Sequence, residues 1–211
     1  MMVKDNLADG VVSGACHSSK DTLRPALQII KTKEDSKLVS AFFLMDVLNK
    51  NYGLDGTFIF ADCGLNQNPN EIELANIAID SAKSFKKLLN SEPVVAMLSY
   101  STYGSASSSD VKKVVEATKI ARKNSLFIID GELQLDAAID REIAKIKAPN
   151  SFVAGRANVL VFPDLDSGNI GYKLVERLGN AKAYGPITQG INAPINDLSR
   201  GCSVDDIVGV M

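Results

Sequence analysis

Short apolar runs alternate with amphipathic segments along most of the chain, and this alternation predicts an α/β fold. The runs rich in β-branched and aromatic residues are predicted strands, which cover residues 7–14, 38–47, 57–62, 94–100, 127–132 and 158–163. Segments with apolar residues at helical spacing are predicted helices, which cover residues 23–30, 74–88, 110–121, 137–146 and 168–178. This order is typical of a three-layer α/β/α arrangement around a largely parallel sheet.

Polar residues collect where the predicted strands end. They form five segments, each directly after an apolar run, at residues 13–19, 62–66, 99–105, 130–134 and 163–169. Ligands of open α/β sheets bind at the carboxyl ends of the strands. The sequence therefore predicts a ligand site built from these segments.

Residues 196–206, Asn-Asp-Leu-Ser-Arg-Gly-Cys-Ser-Val-Asp-Asp, carry the densest group of reactive side chains. Gly201 and Ser203 favour a break before a short helix, with Ser203 as its N-cap and Asp206 at the third helical position in a capping box. Two interpretations stay open at this point. In the first, Asp206 only caps the helix, Arg200 pairs with a nearby carboxylate and Ser199 is an ordinary turn residue. In the second, the three residues serve one site.

The segment before the first predicted helix is a candidate anion site. Ser13 and Ser18, with glycine and backbone N–H groups between them, precede a helix whose positive end would favour a phosphate. Arg24 lies one turn into that helix and could hold the same anion through two parallel hydrogen bonds, although a surface salt bridge would also explain it. His17 is either a general base or a hydrogen-bonded loop residue.

Composition excludes several classes of function. The net charge of −2 disfavours nucleic acid as a general partner, and no apolar run reaches the roughly 18 residues of a membrane span. The three cysteines are far apart and a single histidine accompanies them, so no metal site is predicted. Reduced thiols and a cytoplasmic location are the expectation. GxGxxG, GxxxxGK[ST] and GxSxG motifs are absent.

Ten short motifs together resemble the phosphate acetyl/butyryltransferase family. They lie at residues 8–10, 13–14, 22–33, 61–63, 97–99, 130–132, 157–163, 168–173, 185–187 and 196–201, and so are spread nearly from one end of the chain to the other. The Asp-Leu-Ser-Arg-Gly string at residues 197–201 is similar to the acetyl branch. The resemblance implies reversible transfer of an acetyl group between acetyl phosphate and coenzyme A, with coenzyme A as substrate and no cofactor.

The resemblance also implies the architecture. Family members have two α/β/α domains similar to isocitrate and isopropylmalate dehydrogenases, with the site in the cleft between them, and usually form homodimers. Their chains normally start further upstream. We therefore expect a C-terminal fragment in which residues 1–32 and 195–211 are remnants of the first domain and residues 33–194 are the second. Such a fragment alone is expected to be inactive.

The family's site residues map onto two segments of this chain. The resemblance implies that Ser199 hydrogen-bonds the CoA sulfur and that Asp206 takes the thiol proton, while Arg200 and Arg24 hold acetyl phosphate. It also implies that the segment containing Gly168, Asn169 and Tyr172 contacts CoA.

Three alternatives remain beside this assignment. Cys202, next to Arg200, could carry the acyl group covalently if its pKa is lowered. The chain could instead be an acetyl-CoA-sensing domain of a larger protein, or a phosphate butyryltransferase.

Overall fold

The computed structural model describes residues 1–34, 36 and 38–211, except for the side chains of residues 19 and 20. The described strands are β1 Val11–Gly14, β2 Ser40–Asp46, β3 Thr57–Ala61, β4 Val94–Leu98, β5 Ile128–Leu133, β6 Val159–Val161, β7 Lys182–Gln189 and β8 Ile195–Leu198. The described helices are α1 Ser19–Ile29, α2 Glu71–Leu89, α3 Ser109–Asn124, α4 Leu135–Ile139, α5 Arg141–Lys147, α6 Leu165–Leu178 and α7 Val204–Val210.

Six of the strands form one sheet in the order β5-β4-β6-β3-β2-β7. The pairs β5/β4, β4/β6 and β6/β3 are parallel, whereas β2 is antiparallel to both β3 and β7. The antiparallel pairing follows from chain length, because the connection between β2 and β3 has no room for the crossover helix that a parallel pair needs. The predicted α/β fold is confirmed, with a mixed sheet that is parallel in its larger part.

Helices cover both faces of this sheet. Successive strand residues point to opposite faces, so Phe42 joins one buried cluster and Phe43 the other. The first cluster includes residues of α2 and α3, and the second includes residues of α4 and α6. The predicted three-layer α/β/α arrangement is therefore confirmed.

A second, two-stranded sheet joins the two ends of the chain. β1 pairs in parallel with β8, so that Ser13 lies opposite Asp197 and Gly14 opposite Leu198. Leu23 of α1 packs against Ile195 of β8 in a small separate cluster. These contacts involve the two segments that the sequence assigns to a first domain, but the division at residues 32 and 195 stays a prediction.

Four parts of the fold differ from the predicted pattern. β7 and β8 were not predicted as strands. The single helix predicted over residues 137–146 is wrong, because Asp140 ends α4 and starts α5, where its carboxylate accepts from the backbone N–H of Glu142 at 2.9 Å and of Ile143 at 3.1 Å. α6 begins at Leu165 rather than at residue 168, since Asp164 caps it.

Candidate functional site

A cavity of about 300 Å³ lies between the small sheet and α6. Its lining comes from six places in the chain, which lie in strands, in α6 or in segments next to them. The lining residues are His17, Ser18, Phe43, Cys63, Gly64, Asn169, Tyr172, Lys173, Pro186, Asp197, Leu198, Ser199 and Arg200. The cavity therefore brings together five of the predicted site residues: Ser18, Asn169, Tyr172, Ser199 and Arg200.

Ser199 and Arg200 lie in a tight turn directly after β8. The Ser199 carbonyl accepts from the N–H of Cys202 at 3.1 Å, and the Ser199 hydroxyl accepts from the N–H of Gly201 at 3.3 Å. Both side chains are exposed. Among the described residues Arg200 forms no ion pair, so its guanidinium is available to an anion in the cavity.

Asp206 is the third residue of α7 and forms a capping box with Ser203, so the predicted capping box is confirmed. The N–H of Ser203 donates to the Asp206 carboxylate at 2.8 Å, and the N–H of Asp206 donates to the Ser203 hydroxyl at 3.2 Å. Asp206 is half-buried and is not among the described residues that line the cavity. Its role as a base stays a prediction.

The predicted phosphate-binding residues are divided among three cavities. Ser18 lines the 300 Å³ cavity and caps α1 through the N–H of Asp21 at 3.3 Å. Arg24 lines a neighbouring apolar cavity of about 560 Å³ that shares Gly64 with the first, and its nitrogen lies 3.9 Å from the exposed Asp21 carboxylate. Ser13 lines a third cavity of about 510 Å³.

The predicted CoA-binding segment forms one side of the 300 Å³ cavity. The Asn169 amide donates to the Cys63 carbonyl at 3.1 Å, and the Tyr172 ring stacks on Phe43 with centroids 3.9 Å apart. Gly168 is buried and does not line the cavity. A Cβ at this position would clash with the Asp62 carbonyl oxygen and lie 3.1 Å from the Cys63 sulfur. The glycine lets α6 approach the end of β3.

The carboxylate of Asp62 orders the loop after β3. It accepts from the backbone N–H groups of Gly64 at 2.7 Å and Leu65 at 3.0 Å. Burial raises its pKa, while these hydrogen bonds oppose the shift. Burial and then the Asp62 charge raise the pKa of the Cys63 thiol well above its usual range, so this thiol stays protonated and is a poor nucleophile.

A sequence profile described as Phosphate acetyl/butaryl transferase matches residues 1–211. The chain belongs to this family. The predicted resemblance is confirmed along the whole chain.

Individual relatives with known names support the same family membership. It is 60% identical over 211 residues to a phosphate acetyltransferase of Acetivibrio thermocellus and 62% identical over 213 residues to one of Thermoanaerobacterium thermosaccharolyticum. All of the chain is covered in both comparisons, but only 64% and 65% of the relatives. The chain thus spans just under two thirds of their length.

Solved structures of relatives share the fold. A phosphotransacetylase from Streptococcus pyogenes has 53% sequence identity to this chain and superposes with a TM-score of 0.90. The comparison covers 99% of this chain and 62% of the Streptococcus pyogenes chain. A branched-chain phosphotransacylase from Enterococcus faecalis has 24% sequence identity and a TM-score of 0.80. The comparison covers 99% of this chain and 73% of the Enterococcus faecalis chain, and at this identity it shows the fold alone.

Two of the five polar segments predicted to build the ligand site make other contacts instead. Tyr103 donates to the buried Asp130, and the Ser101 hydroxyl donates to the buried Glu132 at 2.9 Å. These contacts tie the segments at 99–105 and 130–134 to each other, and neither segment contributes a described residue to the 300 Å³ cavity.

Sequence reasoning missed two residues of the cavity wall in this family member. Phe43 lies within an apolar run that carries no information about which face is buried. Pro186 had a signal in the Gly-Pro-Ile motif at residues 185–187, but no role was assigned to it. Within the described chain no cluster of three or more His, Cys, Asp or Glu side chains could hold a metal. No described helix has the length and apolar character needed to cross a membrane.

Proposed function

We propose that the chain carries the acyl-transfer site of a phosphate acetyltransferase, which converts acetyl phosphate and CoA reversibly into acetyl-CoA and phosphate. The observation that carries the proposal is that Ser199 and Arg200 line the same cavity, and that Arg200 forms no ion pair with any residue that the structure describes. Membership of the family and the names of its relatives support the substrate class.

The proposed reaction is direct attack of the CoA sulfur on the acetyl carbonyl. A free thiol has a pKa near 8.5 and is mostly protonated at neutral pH, so a nearby base is needed. Asp206 takes the proton and Ser199 holds the sulfur by a hydrogen bond. The carbon–sulfur bond forms as the bond between the carbonyl carbon and the phosphate oxygen breaks, and phosphate leaves with that electron pair.

Arg200 provides the charge that this step needs. Its planar guanidinium donates two parallel hydrogen bonds to a phosphate and stabilises the developing negative charge on the leaving group. Placing both substrates in one cavity makes the attack effectively intramolecular, which is worth about 7 to 11 kcal/mol of the barrier.

The remaining predicted residues have binding roles in this proposal. Ser18 and Ser13 contribute hydroxyl groups near the start of α1, and Arg24 joins Arg200 in holding acetyl phosphate. Arg24 lines the neighbouring cavity of about 560 Å³, so this role requires its side chain to reach into the 300 Å³ cavity, with which that cavity shares Gly64. Asn169 and Tyr172 contact CoA, and Gly168 supports them by allowing the close approach of α6. A homodimer and a cytoplasmic location complete the proposal.

A charge-removal experiment tests the proposal. The protein as its gene encodes it is assayed for acetyl-CoA formation from acetyl phosphate and CoA, as wild type, Arg200→Ala and Arg156→Ala. Arg156 is a matched exposed arginine that donates to the Phe152 carbonyl. We expect Arg200→Ala to lower kcat/KM by about 10²- to 10³-fold, as the loss of one oxyanion donor does, and Arg156→Ala to leave it unchanged.

The outcomes separate the alternatives. Wild-type protein that binds acetyl-CoA without turnover would favour the sensing domain, and a preference for butyryl phosphate would favour the butyryl branch. Equal activity of Arg200→Ala and Arg156→Ala would remove Arg200 from the site.

A further inference from the structure

Part of the lining of the 300 Å³ cavity is apolar, and this part is called the wall. Phe43, Cys63, Tyr172 and Pro186 form the wall, and Ser199 and Arg200 line the same cavity. Phe43 and Tyr172 are only 6% and 9% exposed, and their rings stack at 3.9 Å with an angle of 16° between the planes. The wall is therefore built on two stacked, largely buried aromatic rings.

The backbone of β7 also contacts the Phe43 ring. A Cβ at Gly185 would lie 2.8 Å from Phe43 Cδ1, so the ring lies directly on the glycine backbone. The pairing of β2 with β7 shifts here, since Phe42 is opposite Ile187 but Leu44 is opposite Tyr184. β7 thus has an extra residue beside Phe43, and bulges of this kind redirect side chains near binding sites.

The helix that carries Tyr172 is closely packed at the residue before it. A Cβ at Gly171 would lie 3.0 and 3.3 Å from two carbons of the Phe162 ring. Pro186 is fixed in the same way, because a Cβ at Gly64 would lie 3.3 Å from the Pro186 Cβ. Close-packed aromatic groups of this kind have little room to move aside for a larger ligand.

We propose that Phe43, Tyr172 and Pro186 form the seat of the acyl group and limit it to acetyl, an inference that rests on the proposed function. The acyl carbonyl must lie beside Ser199 and Arg200 to react, and these residues share the cavity with the wall. The methyl group, the apolar end of the substrate, then faces the wall. Further methylenes would have to displace the stacked rings, and one methylene in an apolar pocket changes specificity by about 10- to 200-fold.

Substitutions that shorten the wall test this seat. kcat/KM is measured for acetyl phosphate and butyryl phosphate in the wild type, Tyr172→Leu, Phe43→Leu and the control Phe162→Leu, in the protein as its gene encodes it. Phe162 packs against Gly171 in the same cluster but is not among the described residues of the cavity wall. We expect wild type to prefer acetyl phosphate, and the butyryl-to-acetyl ratio to rise at least about 10-fold in the two wall variants and not in Phe162→Leu.

A measurement on the wild type keeps the test decisive if the core variants do not fold. Butyryl phosphate is used as a competitive inhibitor against acetyl phosphate, and we expect it to bind at least about 10-fold more weakly than acetyl phosphate. Equal affinity would overturn the seat.

The remaining outcomes are distinguishable. Wild-type protein that transfers neither acyl group overturns the proposed function and the seat together. Wild-type acetyl transfer with an unchanged ratio in Tyr172→Leu and Phe43→Leu, or with the same rise in Phe162→Leu, overturns the seat alone. A raised KM for CoA in Phe43→Leu with an unchanged ratio would also overturn it, since the wall would then hold the thiol arm of CoA.

Discussion

Gly168 sets how closely α6 approaches the carboxyl end of β3, and Gly168→Ala tests that packing. The added methyl group would clash with the Asp62 carbonyl oxygen and lie 3.1 Å from the Cys63 sulfur. Asp62 cannot shift freely, because its carboxylate is held by the N–H groups of Gly64 and Leu65. The helix must move instead.

Two opposing effects determine the magnitude. Replacing glycine by alanine inside a helix stabilises it by about 1 kcal/mol. Overpacking a rigid site destabilises the fold by about 1 to 3 kcal/mol, and contact with backbone favours the upper part of that range. We therefore expect Gly168→Ala to lower the free energy of unfolding by about 1 to 2 kcal/mol.

Gly171→Ala is the matched control, because it adds the same methyl group to the same helix. Its new neighbour is the Phe162 ring, a side chain that can turn slightly, so we expect the free energy of unfolding to change by about 0 to +1 kcal/mol. Urea unfolding of both variants measures the difference. If Gly168→Ala is as stable as Gly171→Ala, the argument about close approach is wrong.

Three further predictions concern the reactive groups. Asp206→Asn keeps an oxygen that can accept from the Ser203 N–H, so it should alter the free energy of unfolding by less than about 1 kcal/mol. The same change should lower kcat by about 10²- to 10⁴-fold, because the proton acceptor is lost. Unchanged turnover would exclude Asp206 as the base. Cys202→Ala should retain acetyl transfer, whereas its complete loss would favour a covalent acyl-cysteine. Burial, and then the charge of Glu176, raise the pKa of Tyr172 to about 12. Above pH 10, the ordinary tyrosine pKa, the unfolded state therefore loses this proton while the folded state keeps it, and the folded state becomes less stable as the pH rises. Wild type should therefore lose about 1 kcal/mol of unfolding free energy relative to Tyr172→Phe between about pH 9 and pH 11, measured by urea unfolding, and parallel curves would refute the shift.

The sequence predicted the elements whose signals are local. α2 was predicted from its apolar residues at helical spacing and the lysines near its end, and the structure adds a capping box between Asn70 and Glu73. The capping box of α7 was predicted because Ser203 and Asp206 are three residues apart. β7 was missed because Gly185 and Pro186 weaken a strand pattern and are tolerated here at an edge with a bulge.

The site was harder to predict because it depends on contacts between distant parts of the chain. Ser199 and Arg200 stood out by residue type, and Ser18 by its place before a helix. Phe43 could not be assigned to the cavity, because its neighbour Phe42 is equally apolar and only the sheet determines which of the two faces α6. Gly168 has the expected place in the chain, yet it supports the helix instead of lining the cavity.

The position of the CoA sulfur tests the central claim most directly. A crystal structure of the protein, as its gene encodes it, with CoA bound would show where the thiol lies. We predict that the sulfur enters the 300 Å³ cavity and lies within hydrogen-bonding distance of the Ser199 hydroxyl, beside Arg200. A sulfur found outside this cavity, for example in the neighbouring one lined by Arg24, would contradict the account.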